Sequence, residues 1–177
     1  LHRRASGEGQ RVEGSLLSTA LLFNNGSLIE QALIKPDRVG SGNRGQTSAP
    51  SDAFKCKNDE WLLVQVVGQP LYERWAGLMG DDYWVKDPKF KDDLARGDNS
   101  KEISARMQEW CAERSREEAI AILAETRIPC GHIYKPADTL TDPQVQGSGY
   151  LQDVEYPGTP APAPVSKLHI RMSKTPP

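Results

Sequence analysis

Apolar residues recur along this chain with two different periods, and the switches between them mark out its elements. Leu16, Leu17, Ala20, Leu21 and Leu28 share one face at 3.6 residues per turn, which predicts a helix from residue 16 to about residue 30. Just before it, residues 10–15 read as a short strand. Leu1 to Ala5, followed by Ser6 and Gly7, read as the last turn of a helix with its glycine stop, so the chain starts inside an element. Residues 53–57 and 60–67 are strand-like runs that Asn58-Asp59 would join in a tight hairpin. Helical spacing returns over residues 71–79, 101–113 and 116–126, where Ile103, Met107 and Trp110 keep the spacing a buried face requires. Ser115 with Glu118 forms a candidate capping box for the third of these helices. Residues 128–134 read as a return strand, Asp142-Pro143-Gln144 as a turn, and residues 151–156 as a further strand.

Two stretches break the periodicity. Gly, Pro, Ser and Asn mark residues 35–50 as a linker, and residues 158–164 alternate Pro with small residues as an extended connector does. The expected organisation is therefore four pieces: residues 1–34 with a short strand and a helix, a Gly-rich linker over 35–50, a small α+β domain over 51–156, and a Pro-rich return linker over 157–177. The fold class is α+β, a short antiparallel sheet with helices. Its core is expected to gather Trp61, Leu63, Ile103, Met107, Trp110, Ile120 and Leu123.

Composition narrows the function classes. With 177 residues and 37% hydrophobic content the chain can bury a core of its own. Lys and Arg total 22 against 24 for Asp and Glu, which leaves no positive excess for a phosphate backbone and argues against nucleic acid as a partner. Cys56, Cys111 and Cys130 make an odd count without C-x-x-C spacing, arguing against a disulfide framework or a structural zinc and for a reducing cytoplasm. Arg3 and Arg4 ahead of the apolar run 15–23 mimic a signal peptide. Glu8, Arg11 and Glu13 interrupt the pattern, no small-x-small site follows, and the run is too short to span a membrane.

One motif asks for a ligand. Gly40 to Gly45, GSGNRG, matches G-x-G-x-x-G, which cradles a pyrophosphate when a buried strand enters it and a helix leaves it. Here Pro36, Asp37 and Arg38 precede the motif and Pro50 follows it, so dinucleotide binding is set aside in favour of a flexible connector.

Several short motifs in collinear order resemble the class III CoA-transferases, the CaiB/BaiF family that includes formyl-CoA transferases and α-methylacyl-CoA racemases. They are Arg4 with SGEGQRVEGSLL at 6–17, APSDAFKCKNDEW at 49–61, DPKF at 87–90, Arg96 with Asn99, IPCG at 128–131, DPQ at 142–144 and SKTP at 173–176. The resemblance implies a large Rossmann-like domain joined by two linkers to a small α/β domain, in a homodimer of interlinked chains. On that plan this chain is a central fragment: a remnant of the large domain, the small domain and the linkers flanking it. Coenzyme A or an acyl-CoA would be the substrate, a carboxylic acid the acceptor, with no metal, no nucleic acid and no membrane. The nucleophilic Asp that attacks the thioester would lie upstream of Leu1, so no catalytic residue is expected within this chain. Whether the chain is itself an enzyme is left open.

In formyl-CoA transferases a glycine-rich loop closes over the active site, and the resemblance places Gly40, Gly42, Gly45 and Gln46 as substrate-binding residues of such a lid. Asn43 and Arg44 depart from the family's uninterrupted glycine run, which leaves a plain linker as the alternative. Two other functions stay open: a stand-alone interaction or acyl-CoA-binding module without catalysis, and a racemase-like epimerase.

Other candidates have plainer explanations. Cys130 and His132 lie two apart on a strand and would face one side, yet no third group orients them, so Cys130 reads as a small buried residue. The doublets Asp81-Asp82, Asp92-Asp93 and Glu117-Glu118 point apart and read as solvated surface. Among Trp61, Trp75, Trp84 and Trp110, any of which could stack a base, Trp61 and Trp110 are expected in the core. The apolar face of residues 10–30 predicts self-association through Leu16, Leu17, Leu21 and Phe23.

Overall fold

A computed structural model describes residues 2–34, 38–168 and 170. Leu1, the linker residues 35–37 and the SKTP motif at 173–176 lie outside them. The chain divides into two compact units, residues 1–42 and 43–177.

The first unit is helical. Helix α1 (His2–Ser6) ends where Gly7 adopts φ 77° and donates its N–H to the Arg3 carbonyl at 3.0 Å, the stop read from the sequence. Residues 10–15 form no strand, because no described segment pairs with them. Ser15 caps α2 (Leu16–Phe23) by accepting the Ser18 N–H at 3.0 Å. The single helix expected here is two: Asn24 leaves helical geometry at φ −93°, ψ 7°, turns its side-chain amide back onto the Ala20 carbonyl, and α3 (Asn25–Leu33) starts afresh. Asn24, Asn25 and Gly26 are weak helix formers in succession, which is why the break falls there. None of the helical residues of this unit is buried, and Leu16 stays 92% exposed.

The second unit is α+β. Strands β1 (Ser51–Lys55) and β2 (Trp61–Gln65) form the expected hairpin, with Asn58 and Asp59 in the left-handed region at φ 62° and 60°. Helix α4 (Gln69–Met79) follows, with Gly80 at φ 75° as its stop. Short helices α5 (Tyr83–Lys86) and α6 (Asp93–Asp98) flank a 3₁₀ turn over Pro88–Phe90, and Asp87 caps that turn by accepting the Lys89 N–H at 2.8 Å. The DPKF motif is thus a cap, a helix-starting proline and a buried aromatic. Helices α7 (Ser100–Ala112) and α8 (Arg116–Glu125) come next, and the Ser115 hydroxyl accepts the Glu118 N–H at 3.2 Å.

Strand β3 (Cys130–His132) returns antiparallel to β2, giving the sheet order β1-β2-β3. Helices α7 and α8 cover one face, α7 on β1 and α8 on β2 and β3. Phe54, Leu62, Val64 and Val66 meet Tyr72, Trp75, Ile103, Met107, Trp110 and Leu123 in the core. Each such large side chain contributes roughly 2 kcal/mol through burial. Trp61 and Leu63, expected inside, point out, 42% and 48% exposed against 0% for Leu62 and 1% for Val64. The run Trp61-Leu62-Leu63-Val64 is apolar on both faces, so the pattern alone does not choose its parity; the pairing of Phe54 with Leu62 does.

The chain then adds elements that the sequence pattern hid. Asp142 opens a helix rather than a simple turn: α9 (Pro136–Thr141) precedes it and α10 (Pro143–Ser148) follows, capped where Asp142 accepts the Val145 N–H at 2.9 Å. Strand β4 (Leu151–Val154) pairs with β5 (Ala163–Ser166), which lies within the stretch read as a connector. Pro164 sits opposite Asp153 in that two-stranded sheet, and its missing N–H is tolerated because β5 pairs on one side only among the described residues.

Candidate functional site

Arg96, on α6, is the most buried charge among the described residues, 1% exposed. A buried guanidinium persists only if its donors are satisfied. Its Nε donates to the Phe90 carbonyl at 2.7 Å, one terminal nitrogen to Asp93 Oδ1 at 3.0 Å and the other to Gln69 Oε1, while its plane lies over the Tyr72 ring. Asp93 is held in turn by the Gly68 N–H, 2.8 Å from Oδ2. Burial pushes the Tyr72 phenol well above its ordinary range, and its hydroxyl donates to the Trp84 carbonyl at 2.8 Å. This network fixes α6 against the start of α4. The sequence had placed Asp93 among solvated doublets, and the structure assigns it a partner.

Fixing α6 matters because of the residue after Arg96. Gly97 packs directly on the backbone of Gln46 and Thr47: a Cβ there would stand 2.6 Å from the Gln46 carbonyl carbon and 2.8 Å from the Thr47 nitrogen. Gly45, one residue earlier on the loop, donates its N–H to the Ser51 carbonyl, and a Cβ on it would meet the Ser51 Cβ at 2.8 Å. Ser48, Ala49 and Pro50, which follow, are buried. The four residues expected to line a lid therefore differ in role. Gly45 and Gln46 are seated in the second unit, whereas Gly40 and Gly42 belong to the first, Gly40 with open space where a Cβ would go and Gly42 at φ 69°. Gly97 was missed in the sequence; its signal was a glycine inside a helix, where the residue weakens the element unless something packs close to it.

The remaining candidates are accounted for. Burial raises the Cys56 and Cys130 thiols and pushes Cys111 up to about 12, the opposite of what activates a nucleophile. The Cys130 thiol faces the Ile120 carbonyl and His132 stacks on Tyr134 with ring centroids 5.2 Å apart, so the two do not form a catalytic pair. Asp82 holds Lys86 at 2.7 Å, Asp92 caps α6, and Glu117 pairs with Arg116 at 2.9 Å. Trp75 and Trp84 are core residues, stacked edge to face at 5.1 Å, with the Trp75 indole donating to the Met107 sulfur at 3.3 Å. A groove of about 440 Å³ lies beside Lys89, Asn99 and Lys101, but its Glu102 already takes Lys89 and the Tyr83 hydroxyl. Among the described residues no group of three or more His, Cys, Asp or Glu is placed to hold a metal, and no helix is long and apolar enough to cross a membrane.

Comparison with known proteins decides what this scaffold is part of. The whole chain, residues 1–177, matches the profile of CoA-transferase family III. The chain belongs to that family. Its curated relatives include a succinyl-CoA–D-citramalate CoA-transferase of Chloroflexus aurantiacus, 26% identical over 81% of this chain and 36% of that protein. Another is a formyl-CoA:oxalate CoA-transferase of Bradyrhizobium diazoefficiens, 26% identical over 88% of this chain and 41% of that protein. Among solved structures, a CaiB/BaiF family protein of Brucella suis superposes with TM-score 0.70 at 24% identity, over 98% of this chain and 44% of that one. A hypothetical protein of Mycobacterium tuberculosis does so with TM-score 0.71 at 16% identity, over 99% and 44%. The family III chain described here thus spans less than half the length of the relatives it matches.

Proposed function

We propose that this family III chain serves an enzyme that moves coenzyme A between carboxylic acids, and that it supplies the small domain and glycine-rich lid of the active site rather than the nucleophile. The observation that carries this reading is the family match over residues 1–177, joined to relatives that are CoA-transferases at 26% identity. In the reaction the resemblance implies, an Asp oxygen bonds to the acyl carbonyl carbon as the carbon–sulfur bond breaks and CoA leaves as thiolate. The CoA thiolate then attacks the aspartyl carbonyl of the mixed anhydride and the donor acid leaves as carboxylate. The acceptor carboxylate displaces CoA from that carbonyl, and thiolate attack on the acceptor's acyl carbon forms the new thioester and frees the Asp. Water destroys such an anhydride, so a lid contributes by excluding it and by presenting backbone N–H groups to the developing oxyanion. Gly40, Gly42, Gly45 and Gln46 are assigned to that lid, in which the Gly45 N–H, already held by the Ser51 carbonyl, shapes the loop and is not an oxyanion donor. No residue within 1–177 is assigned as the nucleophile.

Two features of the reading concern the molecule around the site. The exposed Leu16, Leu17 and Phe23 of α2 support self-association through residues 10–30. Free Cys56, Cys111 and Cys130 support a reducing, cytoplasmic setting.

The test is a transfer assay on the purified chain with formyl-CoA and oxalate, and with succinyl-CoA and a hydroxy diacid acceptor. The expected result is no transfer by the chain alone. Transfer above background that disappears on substitution of a residue within 1–177 overturns the assignment.

A further inference from the structure

We propose that Gly97 is a positioning residue: it seats the base of the glycine-rich stretch, so that Gly45 to Thr47 stay fixed and any movement of that stretch is confined to residues before Gly45. The inference rests on the lid reading only for its functional meaning, since the seat itself is a matter of backbone packing. Gly97 lies inside α6, where alanine would be the better helix former by about 1 kcal/mol. Gly77, inside α4, has open space where its Cβ would go. Gly97 has the Gln46 and Thr47 backbone there instead, nearest of all the Gln46 carbonyl oxygen. Main chain cannot rotate out of the way as the end of a flexible side chain can, so any larger residue must push Gln46 and Thr47 off α6.

The helix cannot yield in their place. Arg96 beside Gly97 is tied to Phe90, Asp93 and Gln69, and Asp92 caps the helix by accepting the Ala95 N–H at 2.8 Å. At the start of the segment, the Gly45 N–H is bound to the Ser51 carbonyl in β1. The three-residue segment is thus held twice, by packing on Gly97 and by the hydrogen bond to Ser51. Gly40 and Gly42 have open space where a Cβ would go. In a working lid, Gln46 is then a fixed wall of the site and the swinging part is short, which limits how large an acyl group it can enclose.

Amide hydrogen exchange on the isotope-labelled chain, read residue by residue by NMR, tests this. In the native chain the Gly45 amide should exchange at least about tenfold more slowly than that of Gly42, as a hydrogen-bonded group in packed structure does. Gly97→Ala should remove about tenfold or more of that protection at Gly45 while leaving the β2 amides slow, and Gly77→Ala should leave both unchanged. Equal exchange of Gly45 and Gly42 in the native chain overturns the proposal, as does a folded Gly97→Ala chain with Gly45 protection intact. If Gly97→Ala does not fold, the native comparison decides alone. Adding coenzyme A separates the two readings: unchanged exchange over residues 40–44 counts against the lid, and leaves the seat standing if Gly45 responds to Gly97→Ala.

Discussion

The guanidinium carbon of Arg96 lies 3.9 Å from the centre of the Tyr72 ring. One residue belongs to the short helix that carries Gly97, the other to α4, and their contact joins the part of the molecule that meets the glycine-rich stretch to the part that forms the core. Arg96→Met keeps the stem and removes the charge, taking the guanidinium donors from the Phe90 carbonyl and Gln69 Oε1 and leaving Asp93 only the Gly68 N–H. Asp93 is 33% exposed, so the expected loss is that of the charge-assisted hydrogen bonds, about 2–3 kcal/mol. Arg96→Lys keeps the charge but loses the planar fork and the stacking, and should still cost at least about 1.5 kcal/mol. Urea unfolding measures both; a change under about 0.5 kcal/mol for either would place Arg96 on the surface, in conflict with the network described.

Trp75 and Trp61 should respond unequally to the same substitution. Trp75→Ala empties a fully buried site between Tyr72, Trp84 and Met107 and is expected to cost about 3–5 kcal/mol. Trp61→Ala removes a half-exposed side chain from the outer face of β2 and should cost under about 1.5 kcal/mol. Comparable losses for the two variants would mean that the β2 face assignment is reversed.

Stability should fall on the alkaline side, and Cys111 should contribute to the fall. Burial raises its thiol from 9.0 to about 12 in the folded chain, so the unfolded chain releases that proton first. The stabilisation is complete below about pH 9 and is lost progressively as pH rises through about 12. Tyr83, raised from 10.0 to about 12 by burial and by Glu102, acts in the same direction. Urea midpoints at pH 7 and pH 10.5 should therefore differ, and the difference should shrink in Cys111→Ala. An identical pH dependence in that variant would show that the thiol does not titrate as its burial requires.

Much of the fold was legible because it rests on local signals: Gly7 as a helix stop, Asn58-Asp59 as a turn and Ser115 as a cap each act over a few residues. What failed depended on partners distant in sequence. Residues 10–15 have the look of a strand but no described segment to pair with, while Ala163 to Ser166, with a proline inside, became a strand because β4 was beside it. The outward turn of Trp61 and Leu63 was hidden for the same reason, since only the register with β1 sets it. At the candidate site the glycine-rich stretch stood out as composition. Its supports did not: Gly97 and Gln46 are 51 positions apart in the chain and meet only after α4 to α6 have packed.

The assignment of lid without nucleophile is tested most directly by the intact mass of the chain after incubation with formyl-CoA or succinyl-CoA and rapid quenching. The account predicts an unchanged mass, with no acyl or CoA adduct and nothing for hydroxylamine to trap. A stoichiometric adduct that hydroxylamine removes and that maps to an Asp within residues 1–177 would contradict it.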